Sequence, residues 1–160
     1  RFAERLDLLL AGGIEEWSVE RVDALLSDLA PTLTKPVATD SPSAALRQLL
    51  STCDSAFEPL LRAPLARLAL LYITALKRSP GVCCDPVAAF HLANGAILER
   101  INVFADRSEH GEAQSHSLMV NYRYDPEQVV ANHEAFVREG RIAMSRSLRR
   151  EHEKYIKAER

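Results

Sequence analysis

Residues 85–103, DPVAAFHLANGAILERINV, change their period in the middle, and the rest of the chain is read outward from that change. Asp85 and Pro86 supply a cap and a first-turn proline, so DPVAAFHL is expected to be a short helix. From Ala96 to Val103, β-branched and long apolar residues take over, and AILERINV is expected to be a strand. His91 stands at the junction, with Asn94 and Gly95 just behind it. Loops beside strand ends are where α/β folds carry functional groups, and an imidazole there can move protons near neutral pH. A histidine packed at a helix end has the same pattern.

Downstream, ADRSEHGEAQSHS is polar and has room for one helical turn, and LMVNYRY (118–124) alternates cleanly. Leu118, Val120, Tyr122 and Tyr124 fall on one face of that strand, Met119, Asn121 and Arg123 on the other. Asp125 and Pro126 are expected to start a helix, with Gln128 in the reciprocal capping position. Its buried stripe would be Val129, Val130, His133, Phe136 and Val137, and Gly140 would end it.

Upstream, the chain reads as helices. RFAERLDLLLAG is helix-like from its first residue, and SVERVDALLSDL has Ser18 as a cap. PTLTKPVATDSPS reads as a loop, AALRQLL as a short helix. Pro64 is expected to open PLARLALLYITALKR as a first-turn proline, and that helix, apolar nearly all round, should be buried. SPGVCCDP breaks it. The expected division is a mostly helical segment over 1–84 and a catalytic part over 85–160. Two strands are too few for an independent sheet, so they need partners from elsewhere.

The chain has 160 residues, enough for one buried core, and a formal net charge of −2. That charge gives no reason to expect nucleic acid or an anionic membrane. The basic stretch near the end, REGRIAMSRSLRREHEKYIKAER, reads as a solvated helix face. Cys53, Cys83 and Cys84 have neither metal-ligand spacing nor the form of a disulfide framework, which fits reduced thiols in a cytoplasmic enzyme. The apolar run around LALLYITAL is too short to span a bilayer. None of His91, His110, His116, His133 and His152 has a partner at zinc-site spacing, so no metal is expected. A phosphate loop and a GxSxG elbow are also missing. His133 reads as a packed stripe residue and His152 as solvated, while His110 and His116 stay undecided.

DPVAAFHLANGAILERIN, then a polar loop, then QSHSLMVNYRYDPEQVVANHEAFVREG, resembles the C-terminal part of malonyl-CoA decarboxylases over residues 85–140. The resemblance implies conversion of malonyl-CoA to acetyl-CoA and carbon dioxide with no metal or organic cofactor. It implies an α/β (α+β) fold, helix-rich with a few strands: the C-terminal portion of a GNAT-type, acetyltransferase-like domain. It places the catalytic histidine on His91 and puts Tyr124 in the same pocket. Asn94 and Asn121 become candidate substrate-binding amides. The family's catalytic serine lies in a Ser-Pro-x-Pro-Gly-Phe type motif, and neither SPSAAL nor SPGVCC matches it. The expected partners are therefore malonyl-CoA and acetyl-CoA, the remaining part of the enzyme carrying that serine, and further copies in a homo-oligomer. Departures near Val103–Phe104, at Ser117 and at His110 bear on the pocket wall. Two other readings compete: another acyl-CoA-handling enzyme of the same superfold, and a non-catalytic helical interaction module. The LMVNYRY strand speaks against the second, since alone it would expose a hydrophobic edge.

Overall fold

The computed structural model describes residues 2–14, 17–75, 77–79, 82–83 and 85–158. In chain order its elements are α1 (Phe2–Leu10), α2 (Val19–Leu25), α3 (Ala30–Leu33), α4 (Pro42–Ser51), α5 (Glu58–Thr74), β1 (Lys77–Ser79), β2 (Val82–Cys83) and α6 (Pro86–Ala93). There follow β3 (Ile97–Asn102), α7 (Glu109–Ser115), β4 (Met119–Arg123), α8 (Val129–Glu139) and α9 (Arg146–Ala158). The expected α+β class, helix-rich with few strands, is what is found. Arg1, the thiols of Cys83 and Cys84, and the last two residues lie outside the described part, so the reading of that cysteine pair does too.

Two compact units divide the chain, residues 1–68 with 106–117 and residues 69–105 with 118–160. The first is helical. Leu6, Val22, Leu26, Leu46, Leu49 and Leu65 are all but fully buried in it. Ser18 caps α2 as expected, accepting from the Arg21 amide at 3.3 Å. The Arg67 guanidinium reaches back to the Leu25 carbonyl at the other end of that helix (2.5 Å), and it grips the Asp28 carboxylate with both Nη atoms. Those hydrogen bonds hold the Asp28 carboxyl below the usual carboxylate range. His116 ends α7 in the left-handed region (φ 50°), a conformation its neighbour Ser117 shares (φ 61°).

Two expectations in this unit need correction. Pro64 does not open its helix. Asp54 caps a short turn at Ser55–Phe57, α5 then begins at Glu58 with Pro59 in its first turn, and Pro64 lies inside. The Pro64 ring is almost fully buried, so apolar packing compensates for the backbone bond that the Leu60 carbonyl cannot receive from it. The loop expected at PTLTKPVATDSPS also contains the single helical turn α3.

In the second unit, β3 and β4 form an antiparallel pair, Ile97 opposite Arg123 and Asn102 opposite Met119. The register shifts between Leu98 and Arg100, so Glu99 is an extra residue in β3. That shift puts Leu98, Ile101, Val120 and Tyr122 on one face, and Arg100, Asn102, Asn121 and Arg123 on the other. On the far side of β3, Leu98 exchanges backbone hydrogen bonds with Ala143 and Ser145, at 2.8 and 2.9 Å. Leu98 is completely buried between them. Among the described residues the outer edge of β4 has no strand beside it.

The buried stripe expected for α8 is not the observed one. Val130 and Val137 are 67% and 63% exposed, and His133 is exposed as well. The helix instead turns Ala135 inward, with Val129, Asn132 and Phe136 half-buried. The end of α6 is met by the Val129 backbone, the Asn132 side chain and the His133 imidazole. Nor does Gln128 complete a capping box: it precedes α8, and its amide donates to the Asp125 carboxylate at 2.7 Å.

Candidate active site

Helix α6 is fixed at its start by Asp85. One carboxylate oxygen accepts from the Ala88 amide at 2.8 Å, and the other is 3.4 Å from the Tyr72 hydroxyl. Ala88 and Leu92 are buried, so the helix presses a narrow stripe against the unit and leaves Phe90 64% exposed. His91 follows on the last turn and is half-buried.

The imidazole of His91 lies flat on Tyr122, with ring centroids 4.4 Å apart and planes 13° from parallel. Phe90 meets it edge-on at 5.4 Å. Stacking of this kind is worth about 0.5–1.5 kcal/mol beyond simple burial, enough to select one orientation of a ring. Nδ1 of His91 is 3.0 Å from the Tyr124 hydroxyl. Either the phenol donates to a bare Nδ1, or a protonated Nδ1 donates to the phenol oxygen. Nε2 makes no hydrogen bond to any described residue.

Tyr124 is itself 46% exposed, yet both its neighbours are tethered. Arg123 donates to Glu99 at 3.1 Å and stands 3.4 Å from Asp125. Asp125 in turn accepts from the Glu127 amide and the Gln128 side chain. Glu99 hydrogen bonding, followed by its charge and the hydrogen bond and charge of Asp125, strengthens the proton affinity of the Arg123 guanidinium.

Of the four residues singled out in the sequence, the structure brings together His91 and Tyr124. Asn94 sits at the end of α6, where its side-chain amide donates to the Phe90 carbonyl at 2.7 Å. Asn121 lies on the opposite sheet face from Tyr122 and accepts from Asn102 Nδ2 at 2.9 Å. Three further residues matter to the site. Tyr122 supplies the platform, and its place on the same strand face as Tyr124, two residues along, was the available signal. Asn132 Nδ2 donates to the Gly95 carbonyl at 3.2 Å, and His133 Nδ1 to the Ala93 carbonyl at 2.6 Å. Neither leaves a signal in hydropathy. Among the described residues no group of three or more His, Cys, Asp or Glu could hold a metal ion, and no helix is long and apolar enough to cross a membrane.

A family model described as the malonyl-CoA decarboxylase C-terminal domain matches residues 20–160. A curated goose (Anser anser anser) protein named malonyl-CoA decarboxylase, mitochondrial, is 38% identical over 105 residues, 63% of this chain and 21% of its own length. The rat (Rattus norvegicus) protein of the same name is 47% identical over 72 residues, 45% of this chain and 14% of its own. The crystal structure of malonyl-CoA decarboxylase from Cupriavidus metallidurans superposes with a TM-score of 0.66 at 33% identity, covering 82% of this chain and 33% of that one. The structure from Rhodopseudomonas palustris gives 0.64 at 35% identity, covering 76% and 32%. The chain thus spans 21% or less of these curated relatives and about a third of the solved ones.

Proposed function

The chain belongs to the malonyl-CoA decarboxylase family, and we propose that it supplies the histidine side of an active site that decarboxylates malonyl-CoA to acetyl-CoA. The observation that supports this reading is the imidazole of His91, stacked on Tyr122 and held at Nδ1 by Tyr124, with Nε2 left for a substrate.

The reaction needs two things from a protein. When the bond from Cα to the carboxylate breaks, carbon dioxide leaves and the electron pair moves into the thioester as an enolate, which hydrogen-bond donors stabilise. Cα must then receive a proton, so that malonyl thioester plus one proton gives acetyl thioester and carbon dioxide. An imidazole suits this step. With the Tyr124 phenol donating to Nδ1, the Nε2–H faces outward. It gives its proton to Cα while Tyr124 passes its own to Nδ1, and the exposed phenol regains one from water. The family's serine, expected in the remaining polypeptide, would orient the malonyl carboxylate opposite His91. Assembly of the β4 edge with that polypeptide, formation of a homo-oligomer, the GNAT-type architecture of the completed domain and the two-part division near residue 84 all belong to the same proposal. So does a cytoplasmic location, set beside animal relatives whose names carry the word mitochondrial.

The test is acetyl-CoA formation from malonyl-CoA by the wild-type protein, the His91→Ala variant and the Tyr124→Phe variant. Abolition in the alanine variant is expected, as is a roughly tenfold to hundredfold drop in kcat in the phenylalanine variant. Activity that survives His91→Ala would remove the histidine from the mechanism.

A further inference from the structure

We propose that Asn132 and His133, on the first turns of α8, are positioning residues that set where the His91 ring stands. The proposal builds on the reading of His91 as the reacting group, but its geometric part can be tested apart from that reading.

The carbonyls of the last turn of α6, Phe90 to Ala93, all have hydrogen-bond partners. The Phe90 carbonyl accepts from the backbone and side chain of Asn94 at 3.2 and 2.7 Å. The His91 carbonyl accepts from the Ala96 amide at 3.1 Å and the Leu92 carbonyl from the Gly95 amide at 3.0 Å, the two bonds of a Schellman ending. Only the Ala93 carbonyl reaches outside this turn, and its donor is His133 Nδ1 at 2.6 Å. One residue earlier in α8, Asn132 takes the Gly95 carbonyl. One turn before that, the Val129 carbonyl oxygen lies so close to Gly95 that a Cβ there would be 2.0 Å from it. Residues 129, 132 and 133 share one face of α8, and all three meet residues 93–95.

The consequence for His91 follows from the size of α6. The helix has eight residues and buries only Ala88 and Leu92, so its own core contacts leave its roll about the axis weakly fixed. A side-chain ring about 6 Å from a helix axis moves by about 1 Å for a roll of about 10°. That displacement is enough to break a hydrogen bond, and the one at stake is the 3.0 Å contact between His91 and Tyr124. His133 and Asn132 grip the end of the helix next to His91, where they suppress this roll.

A role in helix packing alone would not depend on which atom donates. His133→Asn keeps an amide donor near the Nδ1 position, whereas His133→Phe keeps a ring and removes the donor. The ring protons of His91, assigned by their loss in His91→Ala, carry a ring-current shift from Tyr122 that reports the stack directly by NMR on the full chain. In the phenylalanine variant these resonances are expected to move toward the values of a free histidine, and malonyl-CoA decarboxylation to fall about tenfold to hundredfold in kcat with little change in KM. The asparagine variant should restore the shifts and most of the rate. Should the phenylalanine variant fail to fold, Asn132→Leu takes its place, and the same movement of the His91 resonances is required of it. Unchanged His91 resonances in a folded His133→Phe or Asn132→Leu protein would overturn the proposal. Shifted resonances in the variants, with a decarboxylation rate in the complete enzyme that His91→Ala leaves unchanged, would uphold the positioning role and reject the proposed role of His91 in the reaction.

Discussion

Gly95→Ala is the perturbation whose size the structure fixes most closely. Gly95 has φ +79°, and the added Cβ would sit 2.0 Å from the Val129 carbonyl oxygen and 2.8 Å from Val129 Cγ2. Nonbonded carbon and oxygen need a little over 3 Å, so α6 and α8 would have to separate by about 1 Å. A separation of that size lengthens the 2.6 Å contact of His133 with Ala93 and the 3.2 Å contact of Asn132 with Gly95 beyond hydrogen-bonding range. Left-handed backbone costs an L-residue about 1 kcal/mol, and each lost hydrogen bond about 0.5–1.5 kcal/mol, for a total of about 2–4 kcal/mol. Gly140→Ala is the matched control. Gly140 is also left-handed at a helix end (φ +65°), but a Cβ there meets nothing within 4 Å. It should cost only the conformational part, about 1 kcal/mol, and the effect of alanine on the unfolded chain cancels between the two variants. Urea unfolding of both, with slopes compared to confirm a common unfolded state, measures the difference. If Gly95→Ala costs no more than Gly140→Ala, the close approach of the two helices is wrong, and with it the argument for a clamp on α6.

Leu98→Ala removes a fully buried side chain from a residue whose backbone is bonded on both sides, and should cost about 2–5 kcal/mol in the same assay. Arg67 holds the Asp28 carboxyl below its usual range, so in the folded state that group binds a proton less readily than in the unfolded chain. Its contribution is complete above the unfolded value, near pH 4, and is lost as pH falls through the lowered one; Arg67→Met should flatten this acid limb in stability measured against pH. Burial pushes the His116 imidazole below its ordinary value, outweighing the Asp7 carboxylate 3.8 Å away. The unfolded state then binds the extra proton, so stability should rise with pH from that lowered value up to about 6.5. His116→Asn, which tolerates the left-handed backbone, should lose that slope; a slope that persists would assign it to another group.

The elements around the site were legible where local chemistry agreed with tertiary context. Asp85–Pro86 marks the start of α6, the alternation in LMVNYRY marks β4, and both sit within a residue or so of expectation. The packed face of α8 was not legible, because a hydropathy stripe assumes contact through large apolar side chains. This helix meets α6 through a carbonyl, an asparagine and an imidazole, and leaves Val130 and Val137 in solvent. Pro64 misled for a related reason: proline usually opens a helix, but tertiary burial can hold it inside one. At the site, the resemblance paired His91 with Tyr124. Their geometry depends on the cross-strand register, which a single chain of letters does not display.

That register has one further consequence, which concerns chain length. Leu98 and Ile101 are three residues apart, an odd step that would put them on opposite faces of an unbroken strand. They share a face because the ladder skips a residue between them. Deleting Glu99 would restore strict alternation while keeping Leu98 opposite Tyr122, Ile101 opposite Val120 and Asn102 opposite Met119. The tether to Arg123 would go, and the cross-strand partnerships would stay. Position 99 is thus a place in β3 where the polypeptide can shorten by one residue without rewriting its pairing, whereas losing Leu98 would change which residue faces Tyr122.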